Sequence, residues 1–405
     1  MKCGLLGRKL GHSYSPAIHA LLGDYKYHLF EREPEELEAF LRHGDWDGLN
    51  VTMPYKKAVI PFLDQLTDVA HSLGAVNTIY RQNGRLIGHN TDLYGFQQML
   101  LRSGLSVQAK KCLVLGSGGA SQVAVRGLPD LGAEVIVISR NGSNNYKNIN
   151  RHKDAAILVN TTPVGMYPDT GVSPVNLALF PHLEGVLDVI YNPARTQLLL
   201  DAEKRGIPAM NGLWMLVAQA KESAERFKGA AIPCGKIAQI HAYLQQQMEN
   251  IILIGMPGCG KSTIGRLMAE KTGRLFIDTD AEIEKLAQKS IPTIFAEDGE
   301  AVFRTLETKV LEAFGKLSGL VIATGGGCVT QERNHPLLQQ NGRIFWLQRD
   351  MGKLATEGRP LSVNLEEMYR LRRDKYAAFA DQIVDNNCDP DATVDQILAY
   401  WEERT

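Results

Sequence analysis

Short apolar runs recur along the chain. Each is bounded by glycine or polar residues and followed by a stretch whose apolar positions return every three to four residues. That alternation predicts buried strands and amphipathic helices. Cys112-Leu113-Val114-Leu115 leads into Gly116-Ser117-Gly118-Gly119-Ala120-Ser121, and Ile251-Ile252-Leu253-Ile254 leads into Gly255-Met256-Pro257-Gly258-Cys259-Gly260-Lys261-Ser262-Thr263. Each predicts strand, turn and helix, the layout that sets a helix N-terminus against phosphate. The loops lie about 140 residues apart and differ in chemistry, so they are two nucleotide modules and not a repeat. Residues 1–100 alternate short strands and helices before the first loop. Further strands are expected at Val135–Ile138 and Leu320–Ala323, and at Phe276-Ile277-Asp278-Thr279-Asp280, which ends a strand with two carboxylates. Helices are expected over Leu213–Phe227 and over Ile237–Met248, the latter ending in a Gln-rich turn. The acidic run Glu31–Glu38 reads as a solvated helix face. The junction falls near residues 246–250 without a Gly/Ser/Pro tether, so the halves are closely joined.

Length and composition narrow this picture. A chain of 405 residues, 44% hydrophobic and 22% charged, is two or three globular domains, which excludes disordered and collagen-like chains. Lys+Arg of 44 against Asp+Glu of 45 leaves a formal charge of −1. That balance provides no general attraction to nucleic acid or an anionic membrane, so an anionic partner must be small and met by local charges. The six cysteines show neither C-x-x-C nor zinc-ligand spacing, and they fit a reducing cytoplasm better than a disulfide framework. No signal peptide and no run of roughly 18 apolar residues is found, so a soluble cytoplasmic protein is expected.

Candidate chemistry in the first half begins at Gly11-His12-Ser13-Tyr14-Ser15-Pro16. Two hydroxyls at i and i+2 of an extended segment could grip a carboxylate; alternatively, Ser15 simply caps the following helix. Asn50-Val51-Thr52-Met53-Pro54-Tyr55-Lys56-Lys57 and Gly88-His89-Asn90-Thr91-Asp92 are polar clusters beside apolar runs. If Lys56 and Asp92 meet in a cleft, the carboxylate can hold the ammonium for proton transfer. Taken singly, they read as a surface lysine and a helix cap.

Together these segments resemble shikimate dehydrogenase over residues 1 to about 247. The matching text continues through Gly74-Ala75-Val76-Asn77-Thr78, Asn160-Thr161-Thr162-Pro163-Val164-Gly165-Met166, Asp188-Val189-Ile190-Tyr191-Asn192-Pro193 and Gly212-Leu213-Trp214-Met215-Leu216-Val217-Ala218-Gln219. The resemblance implies Ser13 and Ser15 on a substrate carboxylate, with Thr52, Asn77, Asp92, Tyr191 and Gln219 around the ring. It makes Lys56 and Asp92 the catalytic pair, with Lys56 giving a proton to the alkoxide formed by hydride transfer. It sets Gly116, Ser117, Gly118, Gly119, Ala120, Ser139, Arg140, Thr162, Gly212 and Met215 along a dinucleotide. An NAD site would carry Asp or Glu at the end of the strand Val135–Ile138, where Arg140 stands with no acid beside it. NADP(H) is therefore expected. Ser139-Arg140-Asn141 departs from the family's usual Asn-Arg-Thr, and Asn141–Asp154 is shorter and more polar than in relatives.

In the second half, Gly255–Ser262 fits G-x-x-x-x-G-K-[ST] in full. Backbone N–H groups of Gly258, Cys259 and Gly260, with Lys261 and Thr263, are expected on the phosphates of ATP, and Ser262 on Mg²⁺. The chain lacks N-K-x-D, H-R-D and D-F-G, which excludes guanine-specific proteins and protein kinases. Asp278 and Asp280 suit the metal's water shell and an acceptor hydroxyl. Gly299-Glu300-Ala301-Val302-Phe303-Arg304 puts an arginine beside an aromatic ring, and Thr324-Gly325-Gly326-Gly327 leaves room for backbone to approach a ligand.

In order, these features resemble shikimate kinase over residues about 249–400. The resemblance implies Asp280, Gly325 and Gly326 on ring hydroxyls, Arg304 and Arg372 on the carboxylate, Phe303 against the ring and Asp278 at the metal. Arg359, in Gly358-Arg359-Pro360-Leu361, matches a lid arginine that closes on the transferring phosphate. Leu347–Arg359 is shorter than in relatives, and Asp374 replaces a usual proline, leaving Arg373 as a substitute for Arg372.

The expected fold class is α/β. Residues 1–101 and 212–247 form a substrate-binding domain, 102–211 a Rossmann NADP-binding domain and 248–405 a P-loop kinase domain with a parallel sheet flanked by helices. The expected function is a bifunctional enzyme that reduces 3-dehydroshikimate to shikimate with NADPH, then phosphorylates shikimate with Mg·ATP on the way to chorismate. The competing reading joins an NAD-dependent quinate/shikimate dehydrogenase to a catalytically weak, nucleotide-sensing domain.

Overall fold

The computed structural model describes residues 1–11, 13–355 and 364–402. Its compact units are two. One comprises residues 1–164, 174–191 and 201–242; the other comprises 165–173, 192–200 and 243–405.

The first unit holds two sheets. The six-stranded one runs in the order Lys26–Glu31, Lys2–Gly7, Gly48–Val51, Thr78–Gln82, Arg85–His89, Gln65–Leu66. It is mixed: Gly48–Val51, Thr78–Gln82 and Arg85–His89 pair antiparallel, the remaining pairs parallel. Its core gathers Leu6, Leu41, Leu49, Tyr55, Val76 and Ile79. The five-stranded sheet is wholly parallel, in the order Ala209–Met210, Gly185–Asp188, Ile157–Asn160, Lys111–Leu115, Glu134–Ile138. Leu113, Val114, Leu115, Leu158 and Val159 are fully buried, which is why these strands read as unbroken apolar runs. From Lys111–Leu115 the chain continues to one side of the sheet and from Ile157–Asn160 to the other. The crevice at that reversal is where doubly wound sheets bind ligands.

The second unit has a parallel sheet ordered Leu275–Asp278, Leu320–Ala323, Asn250–Ile254, Gly342–Gln348, Gln382–Asp385. Its central strand is buried at every position from Asn250 to Ile254. Each such aliphatic side chain contributes about 1.5–3 kcal/mol by leaving water. The helix Lys261–Thr272 follows directly on the glycine-rich loop and ends at Gly273 in the left-handed region, φ 68°.

Several local expectations are corrected. The acidic run is not one helix face: Glu31 ends a strand, Pro34–Glu36 is a 3₁₀ turn, and the helix starts at Leu37. Glu31 accepts the Leu10 N–H at 2.6 Å, and Glu33 and Glu36 form a reciprocal capping box, so part of the run is structural. The Gln-rich turn is helical, because the helix Gly235–Met248 includes Gln245–Gln247. Asp280 lies in the first turn of the helix Thr279–Ala287 and not on the strand, which stops at Asp278. Asp278 caps that helix by accepting the Asp280 N–H at 3.1 Å. Among the described residues no helix is long and apolar enough to cross a membrane.

Candidate active sites

The helix Ser15–Leu22 opens with Pro16 in its first turn, and Tyr14 rather than Ser15 is its N-cap. Tyr14 has helical φ and ψ, so Ser13-Tyr14-Ser15 is not extended; Ser13 Oγ accepts the Ser15 N–H at 3.2 Å. Both serines are half-buried. Lys56 projects from the short helix Tyr55–Ala58, which follows the strand carrying Asn50. Asp92 begins the helix Asp92–Ser103, its N–H held by Asn90 Oδ1 at 2.9 Å.

These elements bring Lys56 Nζ to 2.6 Å from Asp92 Oδ2. The other carboxylate oxygen, Oδ1, accepts Asn77 Nδ2 at 2.9 Å. The sense of the Asn77 amide is set by the Thr91 N–H, which donates to Asn77 Oδ1 at 2.8 Å. Thr91 Oγ1 stands 3.1 Å from Asn77 Nδ2 and 3.3 Å from Gln219 Oε1. Thus Lys56, Asn77, Asp92 and Gln219 form one hydrogen-bonded group. Thr91, inside the quoted motif but given no role from sequence, is at its centre. Half-buried Tyr191 packs edge-on against Tyr14 at 6.1 Å, and burial pushes its phenol up. Thr52 is half-buried directly after the strand Gly48–Val51.

At the dinucleotide loop, Gly116 has φ 109°, a conformation that favours glycine. A Cβ there would also meet Thr161 Oγ1 at 2.9 Å, so the two strand ends flanking the crevice approach closely. Gly118 and Gly119 face open space at the start of the helix Gly119–Gly127, with Ser117 exposed and Ala120 half-buried beside them. Thr162 Oγ1 donates to Asn160 Oδ1 at 2.7 Å. Gly212 is buried against the Val189 backbone and precedes the helix Leu213–Lys228, on which Met215 and Gln219 are half-buried. Arg140 is exposed just beyond the strand Glu134–Ile138, and the Ser139 N–H donates to Asn144 O. The short polar segment after it forms an asparagine-braced turn, with Asn148 Oδ1 accepting the Asn145 N–H at 2.8 Å, and a 3₁₀ turn at Ile149–His152.

In the second unit a 520 Å³ cavity has Gly258, Gly260, Lys261, Ser262 and Thr263 at one part of its wall. Asp280, Phe303, Arg304, Gly325, Gly326 and Arg372 line the rest. Gly258 and Gly260 have φ 80° and 99°, as a loop that turns its N–H groups inward requires; Cys259 between them is buried. Lys261 is buried, and its Nζ donates to Gly255 O at 2.9 Å and Met256 O at 3.0 Å, arching back over the loop. Ser262 Oγ donates to Asp278 Oδ2 at 2.7 Å. Among the described residues no group of three His, Cys, Asp or Glu side chains gathers as a metal cage. A hydroxyl and a carboxylate side by side at a phosphate loop still suit Mg²⁺, which keeps most of its water there.

Arg304 is held by Glu300 Oε1, 3.0 Å from Nη2, and Glu307 Oε2, 2.9 Å from Nη1, and its guanidinium lies 5.1 Å from the Phe303 ring. Glu307 was not foreseen, although its i+3 spacing from Arg304 put it on the same helix face. It is fully buried, its Oε1 has no hydrogen-bond partner among the described residues, and burial raises its carboxyl from 4.5 to about 7 against the opposing pull of Arg304. Arg372 lines the cavity and donates to Gly326 O at 3.1 Å, whereas Arg373 is exposed. The three glycines leave room on the protein side as well. A Cβ on Gly325 would stand 2.6 Å from Asp280 Oδ1, one on Gly326 2.7 Å from the Pro257 ring, and one on Gly327 would overlap the Arg304 guanidinium. Their missing side chains make room for the protein's own groups. His12 and Arg359 lie outside the described residues.

Comparison with known proteins agrees with this geometry. The family model "Shikimate dehydrogenase substrate binding domain" matches residues 5–79, and "Shikimate kinase" matches residues 257–402. "Shikimate dehydrogenase (NADP(+))" of Clostridium beijerinckii is 38% identical over 243 residues, which is 55% of this chain and 90% of the relative. The chain belongs to the shikimate dehydrogenase family. It carries a shikimate kinase domain after the dehydrogenase. A protein of the same name from Oleidesulfovibrio alaskensis is 39% identical over 254 residues, 57% of this chain and 90% of that one. Among solved structures, a chorismate mutase/shikimate 5-dehydrogenase fusion protein from Clostridium acetobutylicum is similar at TM-score 0.58 and 35% identity, covering 60% of this chain and 97% of that one. Shikimate 5-dehydrogenase of Thermus thermophilus, in complex with NADP(H) and shikimate, is similar at TM-score 0.54 and 29% identity, covering 60% of this chain and 99% of that one.

Proposed function

We propose that this chain reduces 3-dehydroshikimate to shikimate with NADPH and then phosphorylates shikimate with Mg·ATP, two consecutive steps in one polypeptide. The reading rests on the ion pair of Lys56 and Asp92 in one unit, together with the cavity that joins a phosphate loop to Asp280, Arg304 and Arg372 in the other. When bound, NADPH supplies the hydride, and Mg²⁺ at Ser262 and Asp278 supplies charge for the phosphates.

In the dehydrogenase, Asp92 binds a ring hydroxyl and fixes Lys56, whose Nζ gives a proton to the oxygen that becomes the new hydroxyl. Ser13 and Ser15 take the carboxylate; Thr52, Asn77, Tyr191 and Gln219 orient the ring. Arg140 takes the 2′-phosphate, a role that the absence of an adjacent acid supports. Gly116–Ala120, Ser139, Thr162, Gly212 and Met215 line the cofactor path. In the kinase, Arg304 and Arg372 hold the carboxylate, with Phe303 against the ring and Gly325 and Gly326 beside its hydroxyls. Asp280 orients the attacking hydroxyl, Lys261 meets the transferring phosphoryl group and Arg359 closes on it. Positioning and charge stabilisation do most of the work in such a transfer. The domain division 1–101 with 212–247, 102–211 and 248–405 has the support that each of the three sheets falls within one of these ranges. No observation favours the nucleotide-sensing alternative.

The test is a double dissociation in the full chain, with shikimate and shikimate 3-phosphate measured separately. Lys56→Ala should abolish only reduction, and Lys261→Ala only phosphoryl transfer. If either variant, folded, keeps the activity it is meant to lose, that half of the reading is wrong.

A further inference from the structure

The dehydrogenase site stands on a buried polar layer whose hub has no role so far. Ser223, fully buried, sits one turn beyond Gln219 on the helix Leu213–Lys228. Its Oγ lies 2.8 Å from Asn50 Nδ2, 2.8 Å from Thr78 Oγ1, 3.1 Å from Thr91 Oγ1 and 3.0 Å from Gln219 O. A hydroxyl has one proton and two lone pairs, so four neighbours must share it.

Two amides around it have a fixed sense. Asn50 Oδ1 takes the Tyr27 hydroxyl at 2.8 Å while Nδ2 faces Asn77 O at 3.3 Å, so Asn50 donates to Ser223. Asn77 Oδ1 takes the Thr91 N–H, so Asn77 donates to Asp92 and to the Thr91 hydroxyl. Between these amides only hydroxyl rotors remain, and Ser223 joins them. A continuous path therefore runs from Tyr27 through Asn50, Ser223, Thr91, Asn77 and Asp92 to Lys56. It ties this buried layer to the pair assigned to the proton.

We propose that Ser223 is a positioning residue of the dehydrogenase, setting Thr91, and through it Gln219 and Asp92, in the arrangement that receives substrate. The part concerning Gln219 rests on its assignment to a ring hydroxyl above. Without the hydroxyl, Asn50 Nδ2 and the threonines lose a shared partner in a buried place, and a partly satisfied network loses its single arrangement. The cofactor loop and the second unit are untouched.

In the full chain, Ser223→Ala should raise KM for shikimate about tenfold, the scale of one lost buried hydrogen bond. KM for NADP⁺ and the kinase activity should stay within about twofold of wild type. Gln219→Ala should itself raise KM for shikimate, and in that background Ser223→Ala should add less than about threefold, because coupled neighbours are not additive. An unchanged KM for shikimate in Ser223→Ala, full multiplication of the two effects, or a parallel rise in KM for NADP⁺ would overturn the proposal. If Gln219→Ala alone leaves that KM unchanged, the assignment of Gln219 fails, and the KM of Ser223→Ala still decides the role of Ser223 toward Thr91 and Asp92. Ser223→Cys preserves the packing with a weaker hydrogen-bonding group. It covers the case in which Ser223→Ala does not fold: it should reproduce the KM rise, and a folded Ser223→Cys with wild-type KM sinks the idea.

Discussion

Asp92 and Glu307 each hold a cation at the site of their unit, and their surroundings are opposite. Asp92 gives one oxygen to Lys56 and the other to Asn77, and its side chain keeps 17% of its exposure. Glu307 is fully buried, gives one oxygen to Arg304 and, among the described residues, has no hydrogen-bond partner on the other. The first carboxylate is pinned by its partners. The second is squeezed by burial until it titrates at about pH 7. A satisfied acid near solvent makes a rigid site, whereas an undersatisfied buried one makes a site sensitive to protons.

The largest effect should come from breaking the pinned pair. Asp92→Asn removes the charge that holds Lys56 and should cut dehydrogenase kcat/KM by about 10²–10³-fold, on the scale of a lost acid–base group. The kinase rate of the same protein is the control. Next, Gly325→Ala presses a methyl group into Asp280 and Glu307, the crowded side of the comparison. A misplacement of that size should lower kinase kcat by about tenfold to a hundredfold, read from initial rates at saturating ATP.

Arg140 tests an exposed charge with no partner acid among the described residues. Arg140→Ala should reduce the preference for NADPH over NADH by about tenfold, the worth of one charge-assisted contact, measured as the ratio of kcat/KM values. The smallest effect sharpens the contrast directly. Between about pH 4.5 and 7 the folded chain keeps a proton on Glu307 that the unfolded chain has released. Stability should therefore fall as pH rises through that window, by up to about 1.4 kcal/mol per pH unit. Glu307→Gln should flatten that slope in denaturant titrations followed by loss of kinase activity, and equal slopes for the two proteins would contradict it.

The glycine loops, their strands and the Lys56 and Asp92 segments were legible because each is a local pattern that keeps its meaning in any fold. The family resemblance supplied roles for residues whose types alone left two readings open. What was illegible depends on distance along the chain or on one-residue placement. Asn50 and Ser223 touch across 173 positions, and nothing local in either sequence announces the other. Asp280 looked like a strand residue because its carboxylate follows Asp278 at i+2, but Asp278 caps a helix and starts the turn early. The glycines Gly325–Gly327 signalled close approach correctly, yet only packing could say that the approaching groups are Asp280, Pro257 and Arg304.

The seam between the two enzymes has a practical consequence. The helix Gly235–Met248 is followed after one residue by the strand Asn250–Ile254. That residue, Glu249, is held by Trp401 Nε1 at 3.0 Å and Arg343 Nε at 3.3 Å, and the Asn250 N–H donates to Asn341 O at 2.7 Å. Proteases cut where several exposed residues can be drawn into an extended strand. This seam offers no such stretch, so brief digestion of the native chain should leave the two activities on one polypeptide. Separating them is a task for gene truncation and not for trypsin.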